Sequence, residues 1–411
     1  MFTIRKSLQA AWLLMIALGF TAAHADIVSD WNMKAGGFVE SAKVGPAAAR
    51  RAMAAVQTAV YGAVNAITQR YPAGGMEPGT AAGGSIDAAV ATATHDVLLQ
   101  LLPAQKAAID AAYQAAMAKL PEGTAKKVGS EAGRRSAAAI LAIREADLSE
   151  PADDYKLPAM PEGHVQVAVG ALVNGPVRVP WLMTGVGAFR PDPPPAESST
   201  TWAHDYNEVR NFGGSNSTRR TPEQTAIAQF WEDDSPMIFY GLVRSVTGQR
   251  GRDVTRNARL YMAVAQAVDD ATMALMDAKY VYQFWRPVDA IHFADRDDNK
   301  YTAPDAAWTP LGPTASDPEY PCARCVEAAA VAAALKADMG DGPTAPLTTT
   351  SRTAPGVTRS WSSVEDMIRE VSDARVDAGA DYRASTLAAM DMGKKIGELA
   401  ATQILSVPPN G

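Results

Sequence analysis

The chain has 411 residues, 47% of them hydrophobic, with 38 basic and 45 acidic side chains and a formal charge of −7. That length admits one large domain or two, and the apolar fraction supplies a sizeable core. The acidic balance, with no basic run, argues against nucleic acid and anionic membranes as partners, and two cysteines exclude a disulfide-built scaffold.

Residues 1–25 read as a removable export leader. Arg5 and Lys6 give the charged start, Leu8 to Phe20 is apolar, and Ala23-His24-Ala25 fits a small-x-small cleavage site. The apolar run is short for a bilayer span, and no later segment is long and apolar enough to cross one. Cleavage removes Arg5 and Lys6, moving the charge from −7 to −9. The expected location is therefore the periplasm or the medium, with no membrane span after cleavage. Residues 26–411 are expected to form a single domain, since no low-complexity linker divides them.

Helical spacing then dominates. Pro46 to Ile67 places Met53, Val56, Val60, Val64 and Ile67 three or four residues apart. Ile86 to Leu102, a segment opened by Pro103 and running to Leu120, and Lys126 to Arg144 continue the pattern, as antiparallel helices joined by short turns. Residues 150–221 differ: Pro and Gly are dense and no period holds. Their aromatics (Trp181, Phe189, Trp202, Tyr206, Phe212) predict an ordered cover rather than a disordered tail.

Helices resume at Thr221-Pro222-Glu223, an N-cap followed by Pro at the first helical position. Arg252 to Trp285 is one long periodic stretch, ended by Pro287. Cys322 to Met339, Val364 to Ala378 and Ala384 to Leu405 complete the set. Ala389, Gly393 and Gly397 form a stripe of small residues that lets another helix approach closely. No segment reads convincingly as a strand, so the expected class is all-α, built from helical bundles.

Lys279 and Arg286 stand seven residues apart, two helical turns, so both cations face the same way. Cations on an apolar helix are costly to bury unless they meet an anion; the alternative is a pair of snorkelling surface residues. Their setting supplies a context. Lys279-x6-Arg286-Pro287 matches the first signature of the vanadium haloperoxidase and type 2 phosphatidic acid phosphatase family. Ala48 to Ile67, Asn216 to Phe230, Trp285 to Ile291, Asp317-Pro-Glu-Tyr-Pro321 and Ala374 to Gly397 extend the match in order. The sequence thus resembles the bacterial haloperoxidase-like branch of that family over nearly all of the mature chain.

The resemblance implies an all-α helical fold and a site where the Lys–Arg helix meets the helix starts after the second and third signatures, a setting suited to an anion. The second signature, Pro-Ser-Gly-His in the family, stands here as Pro321-Cys322-Ala323-Arg324, followed by Cys325. Arg324 thus replaces the acid–base histidine, and a guanidinium does not release a proton near neutral pH, although it can hold an anion bidentately. The third signature is Ser-Arg-x5-His-x3-Asp. Aligned on Arg375, it places Asp381 at the histidine that ligates vanadate or accepts the phosphoryl group, with Ala374 and Ser385 at its ends. A carboxylate there repels an oxyanion and is a poor substitute for neutral imidazole.

The expected site therefore gathers Lys279, Arg286, Arg324 and Arg375 against Asp381, four positive charges against one negative, with Cys322, Ala323, Cys325 and Gly379 as further pocket candidates. Its ligand is a small anion such as phosphate or sulfate, or an anionic metabolite. No cofactor is expected, vanadate entering only if the family chemistry persists; no metal ligand set is recognised. The competing structural reading is a relic in which Asp381 pairs with Arg324 or Arg375. Two further alternatives are a repurposed enzyme acting on phosphoryl or other anionic substrates, with Asp381 as nucleophile or base, and an active haloperoxidase or acid phosphatase. His95, His164, His204 and His292 lie outside the signatures. Cys322 and Cys325 read as a disulfide or two buried thiols, and the acidic runs at Asp233–Asp234 and Asp295–Asp298 as solvated loop charge.

Overall fold

The computed structural model describes residues 26–72, 81–144, 178–340 and 345–410. Residues 1–25, expected to be an export leader, His164 and the first part of the cover segment lie outside these residues.

Helices dominate, as the periodicity predicts. In chain order they are α1 (Ile27–Ser41), α2 (Pro46–Thr68), α3 (Ile86–Leu101), α4 (Lys106–Met117), α5 (Thr124–Ile143), α6 (Thr200–Phe212), α7 (Pro222–Phe230), α8 (Met237–Thr247), α9 (Val254–Tyr282), α10 (Pro287–His292), α11 (Ala323–Met339), α12 (Val364–Asp377) and α13 (Arg383–Ala400). Their starts carry local signals. Asp26, Ser85, Ser199, Asp253 and Ser363 each accept a backbone N–H of the first turn. Thr221 and Gln224 form a reciprocal capping box at α7, with Pro222 at its first position.

α9 is the axis. Nearly every residue from Thr255 to Leu275 is buried, because α2, α11 and α13 pack around it while α3 and α5 close on α2. One continuous apolar cluster runs from Val28 in α1 to Ala400 in α13. Polar groups on α9 are buried only with partners. Asp269 accepts from Arg178 at 2.8 Å and the Trp181 indole at 2.9 Å. Asp270 accepts the backbone N–H groups of Trp181, Leu182 and Met183, and burial pushes its carboxyl up to about 6 against those bonds.

Three expectations need correction. The cover segment is not aperiodic throughout: α6 forms inside it, and Trp202 and Tyr206 on its buried face join Trp285, Trp308 and Tyr382 in a second apolar cluster. Pro and Gly before residue 199 masked that pattern. A two-stranded antiparallel hairpin, β1 (Leu347–Thr350) and β2 (Thr358–Trp361), was not legible as strands. Each strand has four residues, too few for alternation to register; packing on α8 holds the hairpin, with Thr349 donating to the Ile238 carbonyl at 2.6 Å. The acidic runs are not simply solvated either. Asp233 is buried and accepts from Arg352 and the Ser235 N–H, and Asp297 is buried beneath the Trp202 indole and Thr302 hydroxyl.

The small-residue stripe does what its spacing predicts. α13 packs most extensively on α11, and a Cβ at Gly393 would sit 2.1 Å from the Val326 carbonyl oxygen; one at Gly397 would sit 2.4 Å from that of Ala330. These are backbone atoms of a buried helix and cannot step aside. Gly393→Ala is expected to destabilise the fold by about 1–3 kcal/mol, the usual cost of overpacking, read as a lower urea midpoint. The exposed control Gly37→Ala, whose new Cβ meets nothing within 4 Å, should not lower it.

Candidate functional site

Lys279 lies in the last turn of α9 and is completely buried. Its ammonium donates to the carbonyls of Pro318 and Glu319, the latter at 2.8 Å, and pairs with Asp317 at 3.0 Å. Gln283 in the left-handed region ends α9, and Arg286 then caps α10. The Arg286 guanidinium reaches Asp317 at 2.9 Å, the Pro318 and Ala380 carbonyls at 3.2 Å, and Asp381 at 3.5 Å. Burial works against charge on Asp317, yet Lys279 and Arg286 outweigh it and hold the carboxyl well below the usual range. Lys279 is pushed down by burial, which Asp317 opposes.

The third segment folds back on itself. Gly379, at φ +74°, ends α12: its N–H bonds the Val376 carbonyl at 2.9 Å, and the Ala380 N–H bonds that of Arg375 at 3.1 Å. This is the left-handed helix stop that glycine favours. It returns the chain so that Asp381 meets Arg375, 2.9 Å from Nε to Oδ2, while Arg375 Nη1 donates to Glu232 at 2.7 Å. Gly379 thus shapes a turn, against Gly213 on its other side.

Cys322 and Cys325 are disulfide-bonded and fully buried. Cys322 caps α11, its sulfur accepting the Cys325 N–H at 3.2 Å, and its own N–H reaches the Ser385 carbonyl at 3.5 Å. The pair staples the turn that presents Ala323, half-buried, and Arg324, 9% exposed. Arg324 does not pair with Asp381. Its Nη1 is 3.5 Å from Glu327, which is already held by Arg50 of α2 at 2.5 and 2.8 Å.

The expected charge balance is therefore wrong. Asp317, Glu232 and Glu327 join Asp381 as counterions, and Glu319 lies beside them. Two of these carried sequence signals: Asp317 precedes Pro321 by four residues, and Glu327 is one helical turn beyond Arg324. Glu232 carried none, since it comes from the turn after α7, 143 residues away from Arg375 in sequence. Among the histidines, His95 sits between Asp96 and Asp110, whose hydrogen bonds raise it although burial alone would lower it. His292 bonds the Trp308 carbonyl and His204 stands exposed beside Asp205. His204, Asp205 and Glu208 are close enough to hold an ion. Asp205 is however occupied by His204 and the Ala384 N–H, and Glu208 by Arg383.

Glu319 is fully buried. Its Oε1 accepts the Tyr382 N–H at 2.9 Å and its Oε2 has no partner. Burial, then the charge of Asp381, pushes its carboxyl up to about 8 from an ordinary 4.5, against Arg286 and Lys279. The folded state thus binds this proton more tightly than the unfolded chain does. The stability it contributes is full below about 4.5 and is lost as pH rises through about 8. Glu319→Gln, which keeps the acceptor and removes the titration, should gain stability relative to the natural protein steadily from pH 5 to pH 8. Urea midpoints that fall in parallel for both proteins would refute this.

Residues 259–408 match the family model described as the VCPO second helical-bundle domain. The vanadium chloroperoxidase of Curvularia inaequalis is 30% identical over 152 residues, which are 31% of this chain and only 24% of that protein's length. The crystal structure of a bacterial vanadium-dependent iodoperoxidase aligns over 92% of this chain and 96% of its own, with a TM-score of 0.73 and 20% identity. Apo and holo forms of a bacterial vanadium-dependent chloroperoxidase align over 88% of this chain and 94% and 93% of theirs, with a TM-score of 0.62 and identities of 16% and 15%. The structural likenesses establish the fold. Among the described residues no helix is long and apolar enough to cross a membrane.

Proposed function

We propose that this chain, which belongs to the vanadium haloperoxidase-like superfamily, has turned the family's cationic site onto its own carboxylates and performs neither vanadate-dependent oxidation nor phosphohistidine transfer. The observation that carries this reading is the position of Asp381: 2% exposed, bonded to Arg375 at 2.9 Å and facing Arg286 at 3.5 Å. A covalently attached carboxylate takes the place an incoming oxyanion would need.

The donor set does not fit vanadate. Lys279 is engaged by Asp317 and two carbonyls, Arg375 by Asp381 and Glu232. At the two signature histidine positions, Arg324 cannot cycle a proton near neutrality, and Asp381 offers a carboxyl oxygen where the family chemistry uses a neutral imidazole. Loss of such groups removes orders of magnitude in rate. The leader at residues 1–25 supports export as part of the same reading.

The test compares the natural protein with Asp381→Asn and with the Arg324→His/Asp381→His double variant. Vanadate and phosphate binding, bromide oxidation with peroxide, and phosphate ester hydrolysis are measured for each. The natural protein should show no turnover. Asp381→Asn should gain one phosphate-binding event that the natural protein lacks. Two unit charges 4 Å apart exchange ~4 kcal/mol at an effective dielectric of 20, so removing the repulsion should tighten that site at least about tenfold. Turnover in the natural protein that Asp381→Asn abolishes would instead establish Asp381 as a catalytic group, and the proposal would be wrong.

A further inference from the structure

Helix α4 is lightly held. Of its residues Ile109 alone is fully buried, Tyr113, Ala116 and Met117 are partly covered, and it packs mainly on α3. At its far end the Lys126 ammonium of α5 donates to the Met117 carbonyl at 2.8 Å. The polar fastening of its middle is gathered at one residue of α3, His95.

The His95 side chain is 13% exposed, and both of its ring nitrogens face carboxylates. Nδ1 lies 2.7 Å from Asp96 on the same helix, and Nε2 lies 2.9 Å from Asp110 in the middle of α4. The Tyr113 ring of α4 stacks on the imidazole, 4.2 Å between centroids, and its hydroxyl is 3.3 Å from that of Thr92 on α3. Asp110 is also held by Lys106 at 2.7 Å; that bond, then the one to His95, keeps its carboxyl below the usual range. From α1, α2 and α5, which also pack on α3, no charged side chain among the described residues bonds to His95, Asp96 or Asp110. A neutral imidazole carries one N–H, and its other nitrogen is an acceptor. Carboxylate oxygens only accept, so the imidazolium alone satisfies both contacts. In the neutral ring one lone pair faces a carboxylate.

We propose that His95 is a proton-operated clasp between α3 and α4: charged, it bridges Asp96 and Asp110 and holds α4 down; neutral, it gives up one of the two bonds and lets α4 lift. Burial alone would lower the His95 ring, but the bonds from Asp96 and Asp110 outweigh it and raise it above the ordinary 6.5. Docked α4 therefore binds the proton more tightly than lifted α4 does. The clasp acts in full below about 6.5 and is lost as pH rises through the raised value. The docking equilibrium changes about tenfold for each pH unit by which the docked and lifted values differ. The clasp is independent of the Asp381 site and of its proposed loss of chemistry.

Amide hydrogen exchange of the natural protein between pH 5 and pH 9, corrected for the intrinsic pH dependence of exchange, tests it together with the imidazole nitrogen shifts of His95. The amides of the buried helix α9 report the stability of the whole domain and serve as the reference. Protection of α4 relative to α9 should fall about tenfold or more as pH rises. Its midpoint should coincide with the titration of the His95 ring and lie above 6.5. His95→Gln, which cannot take up the proton, should leave α4 weakly protected and indifferent to pH. Asp110→Asn, a change on the half-buried side of α4, should lower the His95 midpoint and serves if the glutamine variant does not fold. Protection of α4 that ignores pH in the natural protein overturns the proposal, as does a pH dependence that His95→Gln retains. A His95 midpoint at or below 6.5, or one that Asp110→Asn leaves unmoved, overturns it equally.

Discussion

The carboxylate of Asp381, held between Arg375 and Arg286, is the interaction from which the rest of the site follows. Buried guanidinium groups need opposite charge. In a protein that binds an oxyanion, the ligand supplies it and leaves again. In this structure the Asp381 side chain lies between them, and the neighbouring groups pair around it. Arg375 turns its other face to Glu232, and Arg286 and Lys279 close on Asp317. Glu319, placed beside Asp381, is left with a carboxyl that holds its proton up to about 8. A second ionised carboxylate so close to the first would be opposed by both burial and repulsion.

The helical frame makes this arrangement rigid. α9 carries Lys279, α11 carries Arg324, and α12 and α13 flank the turn that carries Asp381. α11 and α13 touch backbone to backbone through Gly393 and Gly397, and the disulfide fixes the turn ahead of α11. Trp202, Phe284 and Tyr382 meet in edge-on and tilted ring contacts behind the Asp381 turn, so it packs against a dense aromatic wall.

Much of this was legible in the sequence, for physical reasons that differ by element. Helix spacing and caps are local, so α2, α3, α9, α11 and α12 could be read with nearly their true limits, and the start of α7 as well. The four cations and Asp381 were legible through spacing and resemblance, and they do gather, although Arg324 faces Glu327 and Arg50 instead of Asp381. What could not be read were partners from distant elements. Glu232 reaches Arg375, and Arg50 reaches Glu327 across 277 residues of sequence; no local pattern announces either. The hairpin at Leu347–Trp361 was hidden for the opposite reason: its strands are so short that packing on α8, not their own composition, decides their conformation.

The turn made by Gly379 has a consequence for the order in which contacts form. Arg375 and Asp381 are six residues apart, whereas Arg375 and Glu232 are separated by 143. The entropy of closing a chain loop rises with the logarithm of its length. The Arg375–Asp381 contact therefore costs less chain entropy to close than the Arg375–Glu232 contact does. The Arg375–Asp381 pairing is thus set within one short segment, whereas the Arg375–Glu232 pairing needs two distant segments to pack.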